Sequence, residues 1–274
     1  MGHPFHGVVS IDVEPDSIST RCATYVPLLG PGQCFSHATA ALIYGMPLPS
    51  RLIREPRLHV ASTDDSERPR GRGIIGHELY SEHVEIRLWR GLPTLSPADT
   101  WCYLAPTLAP DDLVAVGDFL VSGVPADGGR TPPFETHQSL EAAVRRHHGK
   151  RGIRSARLAL PALRTGVDSR PETLMRLLIV QAGLPEPLVN PGVPVDNGTA
   201  VLHPDLAWPG WRIVLEYEGD GHRSDPRQFR ADIRRRERFE AAGWRVIRVT
   251  ADDLFVDTAA FLARVRAVIA SRLR

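Results

Sequence analysis

The order of elements between residues 211 and 250 constrains this chain more than any other feature. Within 211–218, Ile213, Leu215 and Tyr217 alternate with Arg212, Val214, Glu216 and Glu218, the period of a strand with one apolar face. Asp225 and Pro226 then open a helix that runs to about Ala242 and stops at Gly243. The run 244–250 (WRVIRVT) follows as an apolar strand. A strand, a helix and a second strand pack together as a right-handed βαβ crossover, with the two strands parallel, because the helix carries the chain back along the sheet. The fold class is therefore α/β.

The flanking sequence is consistent with that unit. Asp168 or Ser169 caps a helix whose Pro171 and Glu172 suit its first turn; Leu174, Leu177, Leu178 and Gln181 recur at helical spacing, and Gly183 and Pro185 end it. Residues 193–195 and 199–202 flank Asp196-Asn197-Gly198, a hairpin signal, since Asn and Gly tolerate the positive φ of a tight turn. Pro209-Gly210 separates 203–208 from the alternating strand. A last helix from about Thr258 places Phe261, Leu262, Val265, Val268 and Ile269 at core spacing.

The acids in this frame point to chemistry. Period two puts Glu216 and Glu218 on one face. A turn with an even number of residues centred on Pro209-Gly210 sets Asp205 opposite Val214, on that face and diagonal to Glu216. Carboxylates so close repel, and a cation, protonation or arginine neighbours relieve the repulsion. Hard oxygen donors suit Mg2+ or Mn2+. Residues 227–248 hold eight arginines (227, 230, 234, 235, 236, 238, 245, 248) against three acids (232, 237, 240), a setting fit for phosphodiester chemistry. The plainer readings stand beside these: a solvent-facing sheet edge for the three acids, a helix-dipole partner for Glu172, and turn residues for Asp220 and His222. Asp232 has Arg235 and Arg236 as helical partners, and Trp208, Trp211 and Trp244 read as packing residues.

The 274 residues allow two domains, and the net charge of +1 decides nothing about a nucleic-acid partner. Residues 1–123 read as a mixed α/β domain, with a helix over 37–44 ended by Gly45 and Pro47 and a basic, glycine-rich stretch at 68–76 that reads as a surface turn. Residues 124–167 read as a linker and basic helical connector rich in Arg, with His147, His148 and Lys150, the sole lysine. The nuclease-like part then spans 168–274. Cys22, Cys34 and Cys102 lack the spacing of a disulfide framework or a zinc site and read as small core residues. No run approaches the roughly eighteen apolar residues of a membrane span, and the first residues lack a signal-peptide layout, so the expected location is cytoplasmic.

Pro204-Asp205 followed by Glu216-x-Glu218 resembles the PD-(D/E)xK nuclease superfamily. The run Glu216-Tyr217-Glu218-Gly219-Asp220-Gly221-His222-Arg223, with Asp232, Arg235 and Gly243-Trp244, is similar to its very-short-patch-repair-like branch, catalogued as domain of unknown function 559. The resemblance covers about 168–274. It implies a restriction-endonuclease-like three-layer αβα domain with a mixed sheet, preceded by the mixed α/β N-terminal domain. It also implies a metal at Asp205 and Glu216 with Glu218, Glu172 as an additional acid, His222 as a proton-transfer group, and Arg223, Arg230 and Arg235 on DNA. The activity implied is Mg2+-dependent DNA cleavage or nicking in repair, defence or mobile-element biology. Glu218 stands where the superfamily has lysine, which also admits a DNA-binding or toxin–antitoxin-type regulator that does not cleave. Phe35-Ser36-His37-Ala38-Thr39-Ala40-Ala41-Leu42, with Gly45 and Pro47, resembles the N-terminal parts of actinobacterial proteins related to AbiEi-type antitoxins, which implies a protein partner for that region.

Overall fold

The computed structural model describes residues 2–5, 8–10, 17–63, 67–80, 82, 84–127, 129–219 and 226–273. The chain forms two compact units, Met1–Leu163 and Arg164–Arg274.

Unit 1 runs β1 (Gly2–Phe5), β2 (Val8–Ser10), α1 (Ile18–Tyr25), β3 (Gln33–Phe35), α2 (His37–Tyr44), α3 (Ser50–Ile53), β4 (Leu58–Ser62), β5 (Ile74–Glu78), β6 (Ile86–Trp89) and β7 (Leu92–Leu95). Then come α4 (Pro97–Leu104), α5 (Pro110–Ser122), the short β8 (Pro125–Ala126) and β9 (Gly129–Arg130), α6 (His137–Arg146) and α7 (Ile153–Ala159). Five strands form a mixed sheet in the order β5-β4-β3-β7-β6. Alternation along the strands buries both faces. Phe35, Leu58 and Val60 pack with Cys22, Tyr25 and Ile43, while Cys34 and Ala61 pack with Ala40, Leu79 and Leu95. The three cysteines are buried and unpaired, as expected of small core residues.

The segment 124–167 is not the connector that its basic run suggested. Leu140, Ala143, Val144, Ile153, Ala156 and Ala159 are buried in unit 1, whose boundary falls after Leu163. The basic residues themselves help to hold it there. Asp99 is fully buried and accepts from Arg146 Nη2 (2.9 Å), the Glu85 N–H (2.8 Å) and Ser96 Oγ (2.6 Å), with His147 Nε2 at 2.9 Å. Burial alone would raise the Asp99 carboxyl, but His147, Ser96, the Glu85 amide and the Arg146 charge outweigh it and hold the group below its ordinary value.

Unit 2 runs α8 (Arg170–Gln181), β10 (Leu188–Val189), β11 (Val193–Val195), β12 (Ala200–Leu202), β13 (Leu206–Trp208), β14 (Ile213–Tyr217), α9 (Pro226–Ala241), β15 (Arg245–Val249), α10 (Ala251–Phe255) and α11 (Thr258–Arg272). Its main sheet has the order β10-β13-β14-β15, with β14 and β15 parallel, as the strand–helix–strand order requires, and the other pairs antiparallel. The expected hairpin is β11–β12, turning through Asp196 and Asn197 at φ 52 and 56. On one face, Leu206, Ile213, Leu215, Ile247 and Val249 pack against Met175 and Ile179 of α8 and Phe261, Val265 and Ile269 of α11. On the other, Ala207 and Val214 pack against Phe239 of α9 and Val193 and Val195 of β11. The sheet is thus the middle of three layers.

Two expectations about β14 change. Ile213, Val214 and Leu215 are all fully buried, so the strand has two apolar faces: α9 covers the side on which the alternation offered only Val214. The register also differs. Leu206 faces Leu215 and Ala207 faces Val214, because the turn takes four residues, 209–212, with Arg212 at φ 51. Asp205 therefore lies at the level of Glu216 rather than Val214; the shift of two residues preserves the shared face.

Among the described side chains of α9, Phe239 is the large one fully buried against the sheet. Phe239→Ala should destabilise unit 2 by about 3–5 kcal/mol through the cavity it leaves. Arg238→Ala, which removes a half-exposed pair with Asp196, should change stability by less than about 1 kcal/mol. Urea denaturation of both variants checks the contrast.

Candidate functional site

Asp205 reaches the end of the sheet from just before β13. Its carbonyl accepts the Asn190 N–H at 2.9 Å, and its Oδ2 accepts the Tyr217 N–H at 2.6 Å. That second bond fixes the carboxylate against the last residue of β14, beside Glu216. Glu172 comes from the first turn of α8 and is buried at 6% exposure. The Asp168 N–H donates to its Oε2 at 2.9 Å and Ser169 Oγ to its Oε1 at 2.8 Å, while the Glu172 N–H donates to Ser169 Oγ at 3.4 Å. This arrangement caps the helix.

The electrostatics go beyond capping. Burial pushes the Glu172 carboxyl up to about 8, and the charge of Asp205 pushes the same way, against the Asp168 and Ser169 hydrogen bonds. Burial likewise raises Asp205 to about 6; Glu216 and Asp168 add to this, against the Tyr217 N–H and Arg235. The charge of Asp205 thus bears on the proton that Glu172 holds. Glu172, Asp205, Glu216 and Asp168 thus share one field. The sequence had offered Asp168 only as a helix cap.

Arginines answer the remaining acids. Arg235 Nε donates to Glu216 Oε1 at 2.7 Å, and its Nη2 donates to the His203 carbonyl, with the guanidinium over the Phe239 ring at 5.3 Å. Glu218 is held by both Nε and Nη2 of Arg248. The expected convergence of Asp205, Glu216 and Glu218 is therefore not what the geometry provides. Among the described residues, no three acids bring oxygens within 4.8 Å of one another. Asp205 and Glu216 are the acids placed side by side at the strand end, and Glu218 is drawn to the β15 arginine that stands opposite Glu216 in the register. Arg235, expected on DNA, is directed at Glu216, whereas Arg230 is exposed on α9. His222, Arg223 and Asp220 lie outside the described residues. Unit 1 holds a second cluster, His37, His59 and His77, which no spacing in the sequence brings together.

Two uncharacterized proteins of Mycobacterium tuberculosis, from strains CDC 1551 / Oshkosh and H37Rv, are each 30% identical to this chain over 127 residues. The match covers 46% of this chain and 46% of each relative, so the chain spans about half the length of the curated relatives it matches. No family model matches the chain, and no solved structure does. Among the described residues no helix is long and apolar enough to cross a membrane.

The raised Glu172 carboxyl ties stability to pH. Above its ordinary value of 4.5 the unfolded chain releases a proton that folded unit 2 keeps until about pH 8. The contribution is therefore complete below about 4.5 and is lost as pH rises to 8. Hydrogen exchange of unit 2 amides, corrected for intrinsic rates, should show protection falling from pH 5 to 8, and Glu172→Gln should flatten that trend. An unchanged trend in the variant would count against a buried proton at this position.

Proposed function

We propose that unit 2 is a nuclease-type domain, restriction-endonuclease-like in architecture, that hydrolyses DNA phosphodiester bonds with Mg2+ or Mn2+ held by Asp205 and Glu216. The carrying observation is the field shared by Glu172, Asp205 and Glu216, in which burial raises two carboxyls, the charge of Asp205 raises Glu172 further and that of Glu216 raises Asp205 further. The three-layer packing around a mixed sheet supports the same reading. The donors fit the ion: they are hard oxygens, and Mg2+ commonly takes one or two carboxylates while keeping water and substrate phosphate as its other partners. Such an ion would neutralise the scissile phosphate and make a bound water nucleophilic at neutral pH.

The residues of the chain divide the remaining work. Asp205 is oriented by the Tyr217 N–H, which leaves Oδ1 as its ligating oxygen. Arg235 balances Glu216 when no ion is bound; with an ion held there its guanidinium would be free to meet a DNA phosphate, the role that the resemblance also gives Arg230 and Arg223. Glu172 keeps its proton close to Asp205, and His222 is the proton-transfer group that the resemblance supplies. Glu218, neutralised by Arg248, takes no part in binding the ion.

That last pair also favours a second reading. Glu216 and Glu218 each have an arginine partner, so their charge is balanced with no ion. A DNA-binding or toxin–antitoxin-type regulator that retains the architecture, with a protein partner on unit 1, would be built this way.

Calorimetric titration of Mg2+ and Mn2+ into the wild type and Asp205→Ala, beside a plasmid-nicking assay, separates the two. The nuclease reading expects metal-dependent nicking that falls by ~100-fold or more in Asp205→Ala, since removing a ligand should cost at least as much as removing a group that merely supports one. Salt-sensitive DNA binding with neither metal uptake nor nicking would give the regulator instead.

A further inference from the structure

Outside this carboxylate site, the richest set of ligating side chains lies on the sheet of unit 1. His59 is on β4 and His77 on the parallel neighbour β5, two residues past the position facing His59, so both project from the face that also carries Ala61. His37 is the first residue of α2, reached from β3 through the buried Ser36. Three adjacent strands thus deliver one imidazole each to a single place. His59 Nδ1 and His77 Nε2 are 2.9 Å apart, with rings nearly parallel at 8°. The His37 ring lies on that of His77, with centroids 3.7 Å apart. One ring nitrogen from each residue lies within 4.8 Å of the other two.

We propose that His37, His59 and His77 form a binding site for a borderline divalent transition-metal ion of the Zn2+ class, separate from the hard-cation site proposed in unit 2.

Tetrahedral zinc with Zn–N bonds of about 2.0–2.1 Å needs nitrogens about 3.3 Å apart, so the nitrogens have little distance to travel, while the stacked rings turn out of parallel to aim their lone pairs at one point. Ser36 Oγ lies 3.1 Å from His37 Nδ1, and with the hydroxyl accepting there the proton would sit on Nδ1 and Nε2 would be left to ligate. The rings are uncharged at neutral pH, as metal ligation requires. Burial, then the charges of His77 and His59, keep His37 well below its ordinary value; burial, then His59 and Arg68, bring His77 to about 4; and burial, with Arg57 opposing Glu55, lowers His59. Packing alone is a poor explanation of the cluster. The three rings are half-buried, and His59 and His77 share a single N–H···N contact. His37 also holds a left-handed φ of 47, a conformation costing a non-glycine residue about 1 kcal/mol or more. Tyr103 packs against His37, and Arg68, whose Nε donates to the Gly76 carbonyl at 2.6 Å, stands beside His77. That guanidinium suits water or an anion in the fourth position.

Untagged, chelator-treated full-length protein titrated with Zn2+ should bind one ion whose affinity falls below neutral pH. Co2+ in its place should give the visible absorption of a tetrahedral site. His77→Ala and the size-conserving His59→Gln should each lose at least ~100-fold in affinity, while Asp205→Ala keeps wild-type zinc binding. Circular dichroism establishes that each variant is folded, and either one, folded, suffices for the test. Absence of zinc binding by the wild type, or wild-type affinity in a folded His59 or His77 variant, would overturn the assignment. Zinc binding lost in Asp205→Ala but retained in the histidine variants would place the ion in unit 2 and overturn it as well.

Discussion

A buried carboxyl in the field of a second one is costly, and unit 2 is arranged around such a pair, Glu172 buried and Asp205 half-buried. Glu172 and Asp205 sit where the middle strand changes character: three residues apolar on both faces, then Glu216. Packing at the start of α8 takes Glu172 out of water, while Asp205 keeps part of its surface exposed. Fixed donors serve both, the Tyr217 amide for Asp205 and the Asp168 amide and Ser169 hydroxyl for Glu172. These donors orient the oxygens without removing the repulsion, so the site retains an appetite for positive charge. Arg235 satisfies part of it from the helix that also closes the core.

Unit 1 handles buried charge in the opposite sense. Asp99 stays ionised in the interior because His147, Arg146, Ser96 and the Glu85 amide surround it, and that network binds α6 to α4. The three clustered histidines, His59 and His77 of the sheet and His37 of α2, are instead kept neutral. A depressed imidazole pKa contributes stability above about 6.5 that is lost as pH falls through about 4, the value of His77. The Glu172 carboxyl has the reverse dependence. The Glu172 carboxyl and the His77 imidazole therefore respond to acid in opposite directions.

The architecture of unit 2 was largely legible in the sequence because local signals agree there: Ser169 as cap, Asp196-Asn197 at positive φ, and Gly243 after the long helix. What the sequence misjudged came from tertiary partners. Alternation alone makes Val214 a polar-side residue, and only α9 lying over it shows that the face is core. The turn after Trp208 has the composition of a two-residue loop, yet Arg212 adopts a left-handed conformation and lengthens it. Glu218 shares a face with Glu216 by period, but a facing strand supplies Arg248, which no pattern within 211–218 could announce. The same holds for segment 124–167, whose arginines hid an apolar stripe, and for three histidines that are neighbours only because β3, β4 and β5 are.

The cysteines carry a practical consequence. Burial pushes the thiols of Cys22 and Cys34 up to about 12 and raises that of Cys102 too, so in the folded chain none presents a thiolate to a reagent. All three belong to unit 1 and none to unit 2. A thiol-specific probe is thus blind to the carboxylate unit and sees the other only when it opens. The rate of alkylation becomes a clock for the histidine-bearing half, readable in the intact chain without cutting the two apart.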